Sequence, residues 1–214
     1  MTRPVVLLGA GGHARVVAAG LRAMGRAVIA VAAPDGAAPF AHRLGVPVLA
    51  DDAAILALDP AGVELALGIG MVTPSPLRRQ IFERFCTAGF RFVTVVHPAA
   101  FLDPETTVGA GSVVMAGAIV QTGVRVGEGA IINTGAIVEH DCAIGAFTHV
   151  ATGCVLAGGV QVGAGVHLGA GATIIQGLSI GDGVLVAAGA VVIADLPAGV
   201  RVAGIPARNM KLVI

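Results

Sequence analysis

Short apolar runs alternate with amphipathic segments along the first 95 residues of the chain. Val5–Leu8, Val28–Val31 and Val63–Ile69 are runs of mainly aliphatic residues. Ala14–Met24 and Pro76–Ala88 repeat apolar residues three or four positions apart, which is the spacing of one helical face. Strand–helix–strand order of this kind predicts a small parallel sheet with a Rossmann-like layout.

The later of the two helical segments carries both an apolar face and a basic pair. Leu77, Ile81 and Phe85 lie four residues apart, so we expect this face to pack against the sheet. Arg78 and Arg79 stand beside it. Two interpretations of the arginine pair stay open, contact with phosphates or the start of a solvated helix face.

From residue 96 onwards the spacing of the apolar residues changes to six. Every sixth residue from Val108 to Val192 is aliphatic, and glycine fills many of the turn positions between them. A period of six fits neither an α-helix nor a plain strand, but it is typical of a hexapeptide parallel β-helix. We therefore predict two domains, residues 1–95 and 96–214. Small or aliphatic residues recur four positions after each aliphatic one, such as Ser112, Ala118, Ala130, Ala136, Cys142, Thr148 and Cys154.

Composition and charge exclude several classes of function. The chain has 32 Gly, no Trp and no Tyr, which agrees with a thin, repeated core. Thirteen basic residues balance thirteen acidic ones, so we expect neither nucleic-acid nor membrane binding. The apolar stretch Gly183–Ala194 is too short to span a bilayer. Three cysteines without a metal-binding spacing predict reduced thiols, a cytoplasmic protein and no metal site.

Four short motifs narrow the family. They are the GAGGHA segment Gly9–Ala14, Asn133–Gly135, the EHDC segment Glu139–Cys142, and the GIPAR segment Gly204–Arg208. Together with the hexads they resemble the sugar O-/N-acetyltransferases of the NeuD and PglD type, which belong to the left-handed β-helix hexapeptide acyltransferases. The resemblance implies a left-handed β-helix, acetyl-CoA as co-substrate, and a homotrimer with active sites between subunits. The predicted fold is thus mixed α/β, a Rossmann-like domain followed by a left-handed parallel β-helix.

His140 matches the catalytic histidine of the family, and a histidine suits a general base near neutral pH. Asp141 matches the acidic residue that orients the imidazole, although PglD-type proteins have Glu there. Asn133 would shape the acceptor pocket. Cys142 and Cys154 occupy the recurrent small position and are expected in the core rather than at the reacting centre.

Residues 18 apart stack in successive coils of such a β-helix, since three hexads complete one turn. Gly158 matches the family's amide near the thioester oxygen, Gln176 follows it one coil later, and His149 matches a position bordering acetyl-CoA. His149 and His167 are also 18 apart, and stacked histidines invite a zinc hypothesis. The chain lacks the close His-x4-His pair of zinc-binding β-helix enzymes, so we expect no zinc and treat His167 as an exterior residue. Arg208 or Lys211 would meet the CoA phosphates or remain solvated.

Gly11, Gly12 and His13 match the family's contacts to the diphosphate of a nucleotide sugar. Small residues there let backbone amides approach a phosphate at a helix N-terminus. The motif lacks the third glycine and the later acidic residue that NAD recognition requires. Two segments depart from the PglD pattern. PglD-like proteins have acidic residues that help recognise uracil after the second strand, where this chain has Val31–Asp35, and a Gly-Asn/Asp segment after the later strand, where it has Gly68–Thr73. This leaves GDP, CMP and dTDP carriers open beside UDP.

The expected function is N-acetylation of a nucleotide-linked 4-amino sugar in surface polysaccharide or glycan biosynthesis. O-acetylation of a sialic-acid-like sugar is the nearest alternative. A non-catalytic β-helix scaffold is the alternative from another class, and the lack of a threonine array on the outer face argues against an ice-binding surface. Outward aliphatic residues such as Ile131, Ile137 and Val155 favour self-association, because a monomer would leave them exposed, and the family resemblance implies that the assembly is a homotrimer.

Overall fold

A computed structural model describes residues 2–33 and 39–210 of the protein. Pro34, Asp35 and Lys211, which the sequence analysis considered, lie outside the described residues. The N-terminal part contains a five-stranded parallel sheet in the order β3-β2-β1-β4-β5. This confirms the Rossmann-like prediction. Its elements are β1 (Val5–Leu8), α1 (Gly12–Ala23), β2 (Val28–Ala32), α2 (Pro39–Leu44), β3 (Val48–Leu49), α3 (Asp52–Leu56), β4 (Glu64–Leu67), α4 (Leu77–Thr87) and β5 (Arg91–Phe92).

Helix α1 follows β1 through a glycine turn and buries one face. Gly11 precedes it in an extended conformation, and Val17 and Leu21 are fully buried. The helix stops at Met24, and Gly25 follows with φ of 70°, a left-handed conformation in which glycine carries no side-chain penalty. Within the described residues no helix has both the length and the hydropathy needed to cross a membrane.

Helix α4 buries only part of the predicted face. Phe85 is buried, and Ile81 packs, partly buried, against the same cluster. Leu77 is 48% exposed, whereas Arg78, Phe82 and Phe85 are buried. The difference arises because α4 packs against the β-helix as well as against the sheet. The Phe82 ring lies 4.5 Å from that of Phe92, in the same buried cluster as Phe85.

Residues from Val95 onwards form a parallel β-helix whose strands have two residues each, except for the three-residue β23 (Arg201–Ala203). Strands 18 residues apart are paired in register, so that Ile119 pairs with Ile137 and Ile137 with Val155. The strands are β6 (Val95–Val96), β7 (Phe101–Leu102), β8 (Thr107–Val108), β9 (Val113–Val114), β10 (Ile119–Val120), β11 (Arg125–Val126), β12 (Ile131–Ile132), β13 (Ile137–Val138), β14 (Ala143–Ile144), β15 (His149–Val150), β16 (Val155–Leu156), β17 (Gln161–Val162), β18 (His167–Leu168), β19 (Thr173–Ile174), β20 (Ser179–Ile180), β21 (Leu185–Val186), β22 (Val191–Val192), β23 (Arg201–Ala203) and β24 (Arg208–Asn209). The strands form three sheets. From β6 to β23 consecutive strands lie in different sheets, and β24 pairs antiparallel with β23 at the end of one of them.

The period of six corresponds to the core of the β-helix. From Val114 to Val192 every sixth residue is buried inside the coil. The small residues four positions later are buried as well, including Cys142 and Cys154. A thin core therefore replaces aromatic packing, as the composition predicts.

The N-terminal domain packs on one sheet of the β-helix. Val113, Met115 and Ile131 share a buried cluster with Val17 and Leu21 of α1. The expectation that Ile131 is exposed is therefore wrong, because α1 and its neighbours cover it and leave 1% accessible. Strand β6 begins at Val95, so the first strand of the β-helix straddles the predicted boundary between residues 95 and 96.

Candidate active site

His140 and Asp141 form a hydrogen-bonded pair on the turn between β13 and β14. The Nδ1 atom of His140 lies 2.9 Å from Oδ2 of Asp141, and both side chains are more than half exposed. Because the carboxylate accepts the Nδ1 hydrogen, the Nε2 lone pair is free to accept a proton. The pair has the arrangement of a base and the group that orients it.

Asp141 adopts a conformation that is unfavourable for a residue with a side chain. Its φ is 61°, while the residues six positions before and twelve positions after it, Gly135 and Gly153, are glycines in the same left-handed region. A non-glycine residue there costs on the order of 1–3 kcal/mol. Retention of Asp at this turn position fits a role in holding His140.

Gly158 lies in the next coil, beneath the His140 ring. A Cβ atom built on Gly158 would be 2.5 Å from His140 Nε2 and 2.6 Å from Cε1. The Gly159 amide donates to the carbonyl of His140 at 2.8 Å and joins the two turns. Within the described residues the Gly158 N–H makes no hydrogen bond, so a basic nitrogen and an open amide donor lie close together.

Gln176 continues the same stack one coil later. The Gly177 amide donates to the Gly158 carbonyl at 2.9 Å, and Gln176 is exposed. This confirms the predicted stacking of the two residues at 18-residue spacing. Their contact with CoA stays a prediction.

His149 and Asn133 contact each other directly, although sequence reasoning placed them against different ligands. His149 Nδ1 lies 2.7 Å from the carbonyl oxygen of Met71, so this nitrogen is the donor. His149 Nε2 then accepts from Nδ2 of Asn133 at 3.1 Å, and Asn133 Oδ1 accepts from the Thr134 amide at 2.8 Å. The chain of bonds fixes the orientation of the Asn133 amide at the edge of the N-terminal domain.

Burial keeps the two histidines of this region uncharged. It lowers the pKa of His149 to about 4, an effect that the bond to Met71 partly offsets and that nearby His167 and Arg78 increase. Burial, followed by Arg78 and His149, lowers the pKa of His13 to about 3. Both imidazoles are therefore neutral near pH 7.

Of the three predicted diphosphate contacts, Gly11 and Gly12 are exposed and His13 is mostly buried. The His13 side chain packs against Gly70, and its Nε2 is buried without a hydrogen-bond partner among the described residues. Gly12 is the first residue of α1, and its backbone is open to solvent. The binding role of these three residues stays a prediction.

A groove of about 420 Å³ runs along the β-helix beside the Met71 segment. Asn133, His149 and His167 line it. The rings of His149 and His167 lie 5.0 Å apart in a T-shaped arrangement, which confirms that they stack in neighbouring coils. His167 is not the plain exterior residue expected, because its Nδ1 is buried and burial lowers its pKa. No group of three or more potential metal ligands occurs in residues 2–33 and 39–210.

Asn133 and His140 lie on different corners of the same coil. The turn that holds Asn133 joins β12 to β13, whereas His140 lies on the turn after β13. Strands β12, β13 and β14 belong to three different sheets. Within one chain the predicted acceptor residues and the predicted base are thus separated by a side of the β-helix.

Arg78 links the two domains and is not placed to bind phosphate. It is 2% exposed, and its guanidinium donates to the carbonyls of Ile69 and Gly129, the latter at 2.9 Å. Burial lowers its pKa to about 10, so it remains charged near neutral pH. Arg79 lies over the Phe147 ring, 5.4 Å from its centroid. Neither of the two interpretations left open by the sequence, contact with phosphates or a solvated helix face, fits this position of Arg78.

Phe147 is an interface residue that sequence reasoning missed. Its ring makes an edge contact with Phe82 of α4 at 5.5 Å and covers Gly129. Its φ of 57° occurs at the turn position that glycine otherwise occupies, the same position as Asp141 in the preceding hexad. The break in the glycine pattern is the sequence signal that could have revealed it.

We expect Cys142→Ala to leave kcat unchanged and to lower the free energy of unfolding by about 1 kcal/mol. Cys142 is fully buried, its thiol donates to the Ala157 carbonyl at 3.2 Å, and burial raises its pKa, so it is a poor nucleophile. Steady-state kinetics and urea unfolding test this. An acetyl group trapped on Cys142 would replace direct transfer with a ping-pong scheme.

Known proteins resemble the chain along its whole length. Residues 4–85 match the family model of the PglD N-terminal domain. The acetyltransferase domain of PglB from Neisseria gonorrhoeae FA1090, solved in complex with acetyl coenzyme A, is 36% identical; the match covers 98% of this chain and 100% of that one, with a TM-score of 0.88. A histidine-to-alanine mutant of GDP-perosamine N-acetyl transferase from Caulobacter crescentus, in complex with CoA and GDP-perosamine, is 38% identical over 99% of this chain and 98% of that one, with a TM-score of 0.86.

The chain belongs to the PglD/NeuD-type sugar acetyltransferases. WeeI from Acinetobacter baumannii AYE, 23% identical over 98% of this chain and 100% of that one with a TM-score of 0.79, shares the fold. A sequence search of curated proteins finds no match. Membership makes the chain an acetyl-CoA-dependent acetyltransferase with a Rossmann-like domain and a left-handed β-helix.

Proposed function

We propose that the chain transfers the acetyl group of acetyl-CoA to the amine of a nucleotide-linked amino sugar. The observation that carries this proposal is the exposed His140–Asp141 pair, with Gly158 presenting an amide N–H beside it. The complexes of two relatives with acetyl coenzyme A and with GDP-perosamine support the co-substrate and the acceptor class.

In the proposed reaction His140 Nε2 accepts a proton from the acceptor amine as its nitrogen attacks the thioester carbonyl. Asp141 holds the ring by its Nδ1 hydrogen and stabilises the imidazolium that forms. The Gly158 N–H donates to the oxyanion of the tetrahedral intermediate. The carbon–sulfur bond then breaks, the amide forms, and the CoA thiolate takes up the proton. His149 and Gln176 would border the co-substrate.

A substrate screen tests the acceptor class. We expect acetyl-CoA consumption with a nucleotide-linked amino sugar, and the relative that binds GDP-perosamine makes a GDP carrier the first choice among UDP, GDP, dTDP and CMP. The matched control is the same nucleotide sugar with a hydroxyl in place of the amine. Faster turnover of the hydroxyl compound would favour sugar O-acetylation instead.

The acceptor and the base come together in this proposal through a second copy of the chain. Asn133 and His140 lie on different corners of the β-helix, so a homotrimer would bring the acceptor groove of one subunit to His140 of the next. The part-exposed Ile137 and Val155 agree with such contacts.

We place the enzyme in the cytoplasm, where free Cys86, Cys142 and Cys154 stay reduced, in a pathway of glycan biosynthesis.

We expect light scattering at micromolar concentration to give three times the 21.0 kDa chain mass. The physical reason is that the proposed acceptor residues and the proposed base lie on different corners of one β-helix, so a complete site would form only where two subunits meet. The experiment is best done with and without CoA and the nucleotide sugar. A fully active monomer would contradict the shared site.

We expect Gly12→Val to raise KM for the nucleotide sugar by about tenfold and to leave KM for acetyl-CoA nearly unchanged, because a branched side chain blocks backbone approach of the diphosphate. A Cβ at Gly12 would meet no atom within 4 Å, so the fold should tolerate the change. Steady-state kinetics with each substrate varied separately gives the two KM values. Equal losses for both substrates would contradict the assignment of Gly11, Gly12 and His13 to the nucleotide sugar.

A further inference from the structure

One turn position of the β-helix is occupied by residues with side chains in every hexad but one. From Ala110 to Ala188, every sixth residue is Ala, Thr, Glu, His, Gln or Asp, and Gly158 is the single exception. His140 and Gln176 hold this position in the coils on either side of Gly158. The backbone of this turn therefore accepts a side chain of many kinds.

Gly158 is not required by its own backbone conformation. Its φ lies outside the left-handed region, whereas the glycine next to it, Gly159, has φ of 72°. The glycines at the neighbouring turn position are favoured by their positive φ, whereas Gly158 has no such conformational requirement. Its lack of a side chain needs a different cause.

The His140 ring occupies the space that a side chain at position 158 would fill. A Cβ there would stand 2.5 Å, 2.6 Å and 3.1 Å from His140 Nε2, Cε1 and Cδ2. Separations below 3.0 Å do not occur between such atoms, so any other residue must displace the ring. Displacement would also disturb the 2.9 Å bond from Nδ1 to Asp141, because ring and carboxylate belong to adjacent residues.

We propose that Gly158 is a positioning residue whose missing side chain gives the His140 imidazole its place against the turn, with Nε2 beside the Gly158 amide. Since a Cα–Cβ bond adds about 1.5 Å, Nε2 lies within about 4 Å of the Gly158 Cα. This role is separate from the donation of the Gly158 N–H, because alanine keeps the amide but not the space. The inference rests on the proposed function of His140 as the base.

Gly158→Ala tests the inference. We expect kcat to fall by roughly 10- to 100-fold, within the contribution of a general base, with KM for acetyl-CoA nearly unchanged. Ala110→Ser, which adds one atom at the same turn position on another corner, is the matched control and should keep full activity and the same assembly state. A Gly158→Ala enzyme with wild-type kcat would overturn the proposal.

The double variant His140→Ala/Gly158→Ala distinguishes a loss of activity through displacement of the His140 ring from a loss through acetyl-CoA or the Gly158 amide. If Gly158 acts through the ring, the double variant should have the same residual kcat as His140→Ala, because there is no ring left to displace. A further loss of the same factor as in the single variant would overturn the proposal and assign the effect to acetyl-CoA or the amide. If His140→Ala itself is fully active, the proposed function of His140 fails, and this result is distinct from the other two.

Discussion

His140→Ala should lower kcat by about 10² to 10⁴, the usual contribution of a general base, and change KM for acetyl-CoA little. His140 is exposed and packs in no core, so its removal should leave the fold and the assembly intact. The rate of the unchanged enzyme should fall at low pH, because a protonated imidazole cannot accept a proton. The variant should lose this acid limb. Turnover measured across pH with saturating substrates tests both statements.

Asp141→Asn is the companion variant, with a smaller expected loss than His140→Ala. An amide keeps the size of the side chain but neither fixes the Nδ1 hydrogen as firmly nor stabilises the imidazolium. An active His140→Ala enzyme with the pH profile of the unchanged protein would remove the general-base mechanism. Equal losses in the two variants would show that orientation is as important as proton transfer.

The free energy of unfolding should fall by about 2 kcal/mol between pH 7 and pH 5 for each of His13 and His149. Their folded pKa values are lowered to about 3 and about 4, whereas an unfolded histidine has a pKa near 6.5. As pH falls below 6.5 the unfolded chain binds protons that the folded chain does not, so acid favours unfolding. The loss continues until the pH reaches the folded values.

Urea unfolding at pH 7, 6 and 5 and at fixed protein concentration tests this expectation. His13→Asn should make the dependence on pH shallower by about 2 kcal/mol across this range, because the variant has one buried imidazole fewer. His42→Asn is the matched control, because it makes the same substitution at an exposed helical residue. Identical slopes for the His13 variant and the unchanged protein would show that His13 is charged in the folded state at pH 5.

The β-helix was predictable because its core depends on local spacing. Aliphatic residues six apart and small residues four positions later form the inside of a coil, independently of what packs on the outside. Both sets of residues are buried as predicted. The strand Val5–Leu8 and the face of α1 follow from the same local patterns. The stacking of His149 on His167 follows from the 18-residue turn.

The contacts between the two domains were not predictable from such patterns. Ile131 resembles any outward aliphatic residue of the β-helix, and only the placement of α1 shows that it is covered. Arg78 resembles a surface residue of a basic pair, yet the carbonyls it binds lie 9 and 51 residues away in sequence. The bond between His149 and the Met71 carbonyl spans 78 residues. Contacts between residues so far apart in sequence produce no repeating pattern from which they could be predicted.

Three exceptions to the repeat nevertheless indicate, from the sequence itself, the proposed site and the contact between the domains. Asp141 and Phe147 replace glycine where φ is positive, and Gly158 replaces a side chain where φ is not. Each exception carries a cost or a loss of packing that the fold alone does not require. The departures from the strict repeat in this chain therefore coincide with the proposed site and with the contact between the domains.

The contacts of Arg78 and Phe147 join the N-terminal domain to the β-helix across a buried surface. Arg78 donates a hydrogen bond from α4 to the carbonyl of Gly129, and the Phe147 ring packs between Phe82 and Gly129. In the proposed trimer the distance from Gly12 of one subunit to His140 of the next would therefore depend on the contact between the subunits as well as on this joint between the domains.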